Sequence, residues 1–308
     1  MNSLPESAIF ILNKPSGMTS QQAVTRVRRF FGYKKAGHSG ILDPQVTGVL
    51  PIFLGRATRL AEYISEERKH YLATVRFGWA TDTQDATGQT IATGDTSTLR
   101  EEQIEEALLS FVGTSMQVPP AFSAIHVDGK RAYELARRGE MVELAPRSIT
   151  IYALEVEAMS IQAHEVTARF AVTCSKGTYI RTLCHDLGSR LGVPAHMASL
   201  IRTRSGTFVI EDAYTLAQME QSGMSLLLEP YRAVASMPWL EVDDVNWRKL
   251  CCGNQLQGVF PLDQIALDSL IRIHDKNGQL GAIYKLASHD DHTAYTLLPV
   301  KVFAAKKE

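Results

Sequence analysis

The first seventy residues alternate between short apolar runs and polar turns. The run IFIL, within residues 8–12, predicts a strand, and no basic region precedes it as one would in a signal peptide. KPSG at 14–17 reads as a turn. A helix capped by Thr19 or Ser20 and stopped by Gly32 is predicted next, because its apolar residues recur at helical spacing: Ala23, Val24, Val27, Phe30 and Phe31.

Alternation with a period of two marks a strand over residues 70–78, HYLATVRFG. Its apolar face carries Tyr71, Ala73, Val75 and Phe77. Residues 49–54 predict another strand, and RATRLAEYI predicts a second helix between the two. A loop beginning at Gly37 precedes the strand over residues 49–54.

The rest of the chain divides near residue 240, where the sequence SMPWLEVDD breaks the pattern. Before it we predict an acidic helix over 98–111, an extended proline-rich segment followed by a short helix, two strands within 149–174, and helices over 179–192 and 214–236. After it, KNG at 276–278 predicts a hairpin between two short alternating runs. We therefore expect a larger domain over 1–238 and a small β-rich module over 239–308, near the lower size limit of an independent domain.

Charge is segregated along a chain whose formal net charge is only −1. Residues 1–80 carry 11 Lys/Arg against 5 Asp/Glu, and residues 176–206 carry 5 against 1. The intervening stretch 81–110 carries 1 against 7, and 207–270 carries 3 against 9. One basic face on an acidic body is typical of a nucleic-acid binder, although segregation alone is weak evidence.

The four cysteines form no CxxC pair and have no histidine at zinc-like spacing, so they predict reduced thiols of a cytoplasmic protein. No stretch approaches the ~20 apolar residues of a membrane span. No cofactor motif is present.

The loop GHSGILDPQVTGVL, residues 37–50, contains a single carboxylate, Asp43, directly before a proline. One acid argues against glycoside hydrolysis, which uses a pair, and His38 with Asp43 lacks a third metal ligand. No GK[ST] follows the glycines, which excludes a P-loop. Two interpretations stay open on these grounds: an Asp-Pro turn that caps its own backbone, or a carboxylate acting on a bulky substrate that the glycines admit.

Six segments together decide more than any one of them. Their order and spacing resemble the TruB family of bacterial tRNA pseudouridine synthases from residue 8 to about 235, and the β-rich tail resembles the PUA module that many members carry. The segments are KPSGMTS, GHSGILDPQVTGVLP, RKHYLATVRFG, PPAFSAIHVDGKRAYELARRG, CSKGTYIRTLCHDLG and AHMASLIRTRSGTF.

The resemblance implies an α+β pseudouridine-synthase fold, with a central mixed, mostly antiparallel sheet flanked by helices. It implies conversion of uridine to pseudouridine at position 55 in the T-loop of tRNA, by base flipping and without a cofactor or metal. The catalytic aspartate of the family corresponds to Asp43. The residues that the resemblance assigns to substrate binding or support are His38, Tyr71, Tyr179, Arg181 and Leu200, with Lys14 supporting the site.

Three departures from the family pattern stand out. Val46 replaces a common alanine beside the active loop, Ile201 occupies a position where an arginine often follows the leucine, and His126 replaces a frequent lysine. The last two put basic contacts to RNA in doubt. The expected partner is the T-stem-loop of tRNA, and a monomer is the default state. The rival interpretations are an RNA-binding or tRNA-folding protein without catalysis, and a hydrolase or metalloprotein that uses His38 and Asp43.

Overall fold

The computed structural model describes residues 5–127, 129–162, 165–262, 264–290 and 294–304. Within them a nine-stranded sheet forms the larger body, in the order β1-β3-β12-β4-β11-β10-β7, with β2 on β3 and β13 on β12. Its strands are β1 (Ser7–Lys14), β2 (Ala36–His38), β3 (Thr47–Gly55), β4 (Lys69–Phe77), β7 (Gly113–Gln117), β10 (Arg147–Gln162), β11 (Glu165–Cys174), β12 (Ala195–Ser205) and β13 (Phe208–Val209).

Four short strands form two hairpins outside this sheet, and seven α-helices accompany the strands among the described residues. The hairpins are β5 (Trp79–Thr81) with β6 (Thr90–Thr93), and β8 (His126–Val127) with β9 (Lys130–Arg131). The helices are α1 (Ser20–Phe30), α2 (Ala61–Glu66), α3 (Glu101–Leu109), α4 (Ala132–Ala136), α5 (Ile180–Leu191), α6 (Leu216–Ser222) and α7 (Asp244–Cys251).

Most of the predicted elements are confirmed. Thr19 caps α1 with a capping box to Gln22, and Gly32 follows the helix with a φ of 74°. Strand β4 buries every second residue, including Tyr71 and Phe77, as its alternation predicts. The predicted second helix starts as a 3-10 turn over Arg56–Leu60 and becomes α-helical only in α2.

The sheet is mixed and mostly antiparallel, which confirms the predicted fold class. Within this nine-stranded sheet, only β12 and β3 pair in parallel among the described residues, whereas β12 runs antiparallel to β4. This parallel contact brings the start of β3, which follows the Asp43 loop, against the end of β12. The loop is thereby placed over the middle of the sheet.

A second, five-stranded sheet occupies the C-terminal region in the order β14-β16-β17-β18-β15. Its strands are β14 (Trp239–Glu241), β15 (Leu256–Gly258), β16 (Leu270–His274), β17 (Leu280–Asp290) and β18 (Ala294–Val302). The KNG hairpin is confirmed between β16 and β17. The sheet encloses its own apolar cluster, yet Leu280, Ile283 and Phe303 join a cluster shared with the larger body. The division at 238/239 stays a prediction.

Four strands of the main sheet were not predicted: β7 at its edge, β12 in its middle, the short β13, and β2, which lies where a loop beginning at Gly37 was expected. Strand β12 shows little apolar alternation because three of its buried side chains are polar, His196, Arg202 and Ser205. Among the described residues, no helix is long and apolar enough to cross a membrane.

Candidate active site

Six of the predicted site residues line one cavity of about 390 Å³ above the main sheet. They come from four separate parts of the chain: the end of β2 with the loop after it, strand β4, the start of α5, and strand β12. The residues are His38, Asp43, Tyr71, Tyr179, Arg181 and Leu200. A larger cleft of about 1010 Å³ lies against the C-terminal sheet and contains none of them.

The Asp43 loop is held in place from three sides. The ammonium of Lys14, which is fully buried, donates to the carbonyl oxygens of Pro15, Met18 and Pro44 at 2.8–3.0 Å. The hydroxyl of Ser20, at the start of α1, accepts from the Leu42 N–H at 2.9 Å. Lys14 therefore binds the loop backbone and does not line the cavity, and its supporting role in the reaction stays a prediction.

Arg202 holds the third side. Its Nε donates to the Val49 carbonyl at 2.8 Å and its Nη2 to the Gly40 carbonyl at 3.3 Å. A side chain at Gly48, whose φ is 104°, would overlap the Arg202 carbonyl. The expectation that this glycine admits a nucleotide is therefore wrong: Gly48 is needed for the contact between the loop and β12.

Asp43 faces Arg181 across the cavity. The Arg181 Nη2 lies 3.6 Å from Asp43 Oδ2, with about 35% of the Asp43 side chain exposed and only 6% of that of Arg181. Burial raises the pKa of the Asp43 carboxyl, and Arg181 opposes this shift. This geometry argues against the interpretation of Asp43 as a turn residue that caps its own backbone, because the carboxylate is directed at a cation.

A second acid, Asp85, lies on the other side of the same guanidinium, with its Oδ2 at 3.8 Å from Arg181 Nη1. The sequence-based statement that no second acid accompanies Asp43 is therefore wrong. Asp85 is 2% exposed and accepts hydrogen bonds from the side chains of Gln45, Thr83 and Thr87. Because these donors satisfy Asp85, it holds Arg181 in place and is not itself free to act on a substrate.

Tyr71 and His38 both line the cavity. Tyr71 is 9% exposed and burial raises the pKa of its hydroxyl, against which the hydrogen-bonded Arg202 acts. Burial, with Arg202 as a second cause, lowers the pKa of His38, so its imidazole is neutral near pH 7. A neutral ring and a phenol suit contact with nucleobases better than contact with phosphates.

The three departures have different structural contexts. Val46 is 2% exposed in the main core beside the cavity, which makes it a packing residue. Ile201 is 36% exposed, at a position where the family pattern often has an arginine, so a surface cation is missing there. The next residue, Arg202, is buried and binds the loop instead of the surface. His126 lies exposed on the β8–β9 hairpin. Among the described residues, no group of three His, Cys, Asp or Glu side chains is placed to hold a metal ion.

Comparison with known proteins decides the family. The model of the TruB family pseudouridylate synthase N-terminal domain matches residues 28–180, and that of the tRNA pseudouridylate synthase B C-terminal domain matches 181–227. A curated protein from Bacillus anthracis, "tRNA pseudouridine synthase B", is 39% identical over 312 residues, covering 97% of this chain and 98% of the relative. The chain belongs to the TruB family.

Other relatives agree. The proteins of the same name from Symbiobacterium thermophilum and Geobacillus kaustophilus are 51% identical over 231 residues and 46% over 244. They cover 75% and 77% of this chain, and 77% and 86% of their own lengths.

Solved structures similar to this TruB-family chain include "Crystal Structure of a Cbf5-Nop10-Gar1 Complex", with a TM-score of 0.72 and 27% identity. "Structure of H/ACA RNP bound to a substrate RNA containing 2'-deoxyuridine" has a TM-score of 0.72 and 25% identity. Both cover 97% of this chain, and 85% and 86% of their own chains. The similarity includes the C-terminal region, which lies beyond both family models.

Proposed function

We propose that this chain isomerises uridine to pseudouridine at position 55 in the T-loop of tRNA, with Asp43 as its catalytic carboxylate. Family membership makes the chain a pseudouridine synthase that acts on tRNA. The observation that carries the residue assignment is the convergence of His38, Asp43, Tyr71, Tyr179, Arg181 and Leu200 on one cavity. The alternative of an RNA-binding protein without catalysis has no supporting observation, because the carboxylate and its arginine are both in place.

The reaction breaks the N–C glycosidic bond and forms a C–C bond between the same sugar and base. The C5 hydrogen is released to solvent and a proton is bound at N1, so the composition of the nucleotide is unchanged and no redox change occurs. The reaction therefore needs no cofactor. Asp43 acts as the carboxylate, and Arg181 stabilises its ionised form against the cost of burial. Asp85, on the far side of the guanidinium, keeps Arg181 from moving away from Asp43.

The target base must leave the folded loop to reach Asp43, at a cost of a few kcal/mol. The cavity of about 390 Å³ is large enough for a single nucleoside. Tyr71 offers its ring for stacking, and Leu200 and Tyr179 complete the walls. His38, on the loop itself, is placed to contact the nucleotides that the flipped base leaves behind. The basic segments 1–80 and 176–206 then contact phosphates. A monomer acting in the cytoplasm, where tRNA is found, completes the proposal.

The position of the product tests this proposal. After incubation of unmodified tRNA with the protein, carbodiimide modification and primer extension should give one new stop, one nucleotide to the 3′ side of position 55, which reports pseudouridine at 55. A 17-nucleotide T-stem-loop should be converted as well, and an anticodon stem-loop of equal length should not, by roughly 100-fold or more in kcat/KM. Stops at other uridines, or equal conversion of both stem-loops, would refute the T-loop assignment.

Replacing Tyr71 with phenylalanine should leave turnover within about tenfold of wild type, a barrier change of roughly 1.4 kcal/mol. The reason is that burial keeps the Tyr71 hydroxyl protonated, so stacking is its main contribution. The lost hydrogen bond to buried Arg202 should lower stability by about 1–3 kcal/mol. Single-turnover rates and thermal unfolding measure the two effects, with Tyr284→Phe as a control, since that buried hydroxyl donates to the distant Asn254 carbonyl. A rate loss well above 100-fold for Tyr71→Phe alone would assign the hydroxyl to proton transfer.

A further inference from the structure

The side-chain amide of Gln117 makes two hydrogen bonds to the backbone of a single residue, Tyr179. Its Nε2 donates to the Tyr179 carbonyl at 3.0 Å, and its Oε1 accepts from the Tyr179 N–H at 2.8 Å. Gln117 is the last residue of β7 and only 5% exposed, so water cannot replace it freely. The two residues are 62 positions apart in the chain.

Tyr179 lies at a position where its backbone would otherwise be poorly held. It is the N-cap of α5 and has extended backbone angles (φ −97°, ψ 106°). Its side chain makes no capping hydrogen bond to the helix. Its N–H points away from the helix and needs an external partner. The two-point contact from Gln117 supplies that partner, and it fixes the orientation of the residue from which the ring extends into the cavity.

The same short segment also contacts Arg181. The Phe122 carbonyl, five residues after Gln117, accepts from Arg181 Nη2 at 2.5 Å. Between them lie Pro119 and Pro120, both buried, whose rings restrict the backbone and make this segment stiff. Segment 117–122 therefore contacts both Tyr179 and Arg181, one through its first residue and the other through its last.

The contacts of segment 117–122 with Tyr179 and Arg181 matter because one nitrogen of Arg181 has to lie near two partners. Its Nη2, which binds the Phe122 carbonyl, is also the atom 3.6 Å from Asp43. An additional separation of about 1 Å at a catalytic group is enough to cost roughly 100-fold in rate. Any loosening of the start of α5 would change the orientation of the Tyr179 ring and the distance from Arg181 to Asp43 together.

We propose that Gln117 is a positioning residue for the isomerisation, which fixes the start of α5 so that Tyr179 and Arg181 face the Asp43 carboxylate. The inference rests on the proposed roles of these residues. It assigns a function to an edge-strand glutamine that touches neither the cavity nor the substrate. A purely structural role would instead make Gln117 one of the contacts between β7 and α5, with no effect on the chemical step.

The test compares Gln117→Met with Thr114→Val. Methionine keeps the length and burial of the side chain but removes both hydrogen bonds. Thr114 lies on the same strand, and its side chain shares a hydrogen bond at 3.0 Å with Thr150 of β10 instead of binding the start of α5. Single-turnover isomerisation at saturating protein, RNA affinity by filter binding, and the pH dependence of the rate are measured for both variants with the T-stem-loop RNA.

Gln117→Met is expected to lower the single-turnover rate about tenfold or more while RNA affinity changes less than about threefold. The acid limb of its pH–rate profile should move to higher pH, because Arg181 then opposes the raised pKa of the Asp43 carboxyl less effectively. Thr114→Val should match wild type in all three measurements. A Gln117→Met protein with an unchanged rate and acid limb, even if its melting temperature falls, would overturn the proposal.

Gln117→Glu provides a second test if the methionine variant does not fold. Glutamate can still accept from the Tyr179 N–H but places a second acceptor against the Tyr179 carbonyl, so an intermediate rate loss is expected. A wild-type rate in this variant would also count against the proposal. Absence of isomerisation by the wild-type protein would instead refute the proposed function, which keeps the two failures distinct.

Discussion

Arg181→Met is expected to reduce single-turnover isomerisation of the T-stem-loop by about 100-fold or more, with folding retained. The guanidinium lies 3.6 Å from Asp43 and 3.8 Å from Asp85, and methionine removes the cation between them. Asp43 would then lie near Asp85 without the guanidinium between them, which disfavours the ionised form of Asp43. The rate falls because less Asp43 is present as a carboxylate and because it is no longer oriented.

The pH dependence of this variant has a defined sign. The active form of Asp43 is ionised, so activity is lost as pH falls through its pKa. Burial already raises that pKa and Arg181 opposes the shift, so removing Arg181 raises it further. The acid limb of the pH–rate profile should therefore move to higher pH in Arg181→Met, and part of the lost activity should return under alkaline conditions.

Stability should also fall in Arg181→Met, by about 3 kcal/mol, because the variant leaves Asp85 buried without its cation. Arg190→Met is a matched control on the same helix, where Arg190 lies exposed over the Phe111 ring. Its rate should match wild type. An Arg181→Met protein that kept both the wild-type rate and the wild-type acid limb would remove Arg181 from the mechanism.

Much of the fold could be predicted because local patterns and final burial agree. The alternation in β4 and the helical repeat with its Thr19 cap in α1 both express contacts within one element and one buried face. The periodicity of the apolar residues and the presence of a capping residue indicate such features directly.

The central strand β12 could not be predicted, because its burial does not follow apolarity. Arg202 is 1% exposed in the middle of the molecule and is satisfied by carbonyl groups of a loop more than 150 residues away in sequence. The sequence AHMASLIRTRS contains no local pattern that indicates those partners. Gly48 was misinterpreted for the same reason, since what it accommodates is the Arg202 backbone.

The candidate site was predictable in part. The family resemblance placed Asp43, Tyr71 and Arg181 together, and the structure brings them to one cavity. Asp85 was missed because it lies in a turn-rich acidic loop, 42 residues after Asp43, where every acid has a ready role as a turn former. Its one distinguishing signal is the TDTQDAT pattern, which supplies threonine donors on both sides of the carboxylate.

Asp43→Asn should abolish isomerisation, with a loss of at least about 1000-fold, or roughly 4 kcal/mol in barrier height. Asparagine preserves the size of the side chain but cannot carry the charge that the reaction requires. Folding should be retained or slightly improved, because burial disfavours the charged carboxylate and the amide removes that cost. RNA affinity should stay within about threefold, since the phosphate contacts that dominate affinity lie elsewhere on the surface.

A single measurement tests the central claim that Asp43 performs the chemistry on a flipped uridine. Tritium release from T-stem-loop RNA labelled at uracil C5 is followed in single turnover, with saturating protein, for wild type, Asp43→Asn and Asp95→Asn. Asp95 is an exposed aspartate whose contacts are to nearby Ser97. We predict full release by wild type and Asp95→Asn, and no release above background by Asp43→Asn although it binds the RNA. Release by Asp43→Asn at a rate near that of wild type would contradict the account.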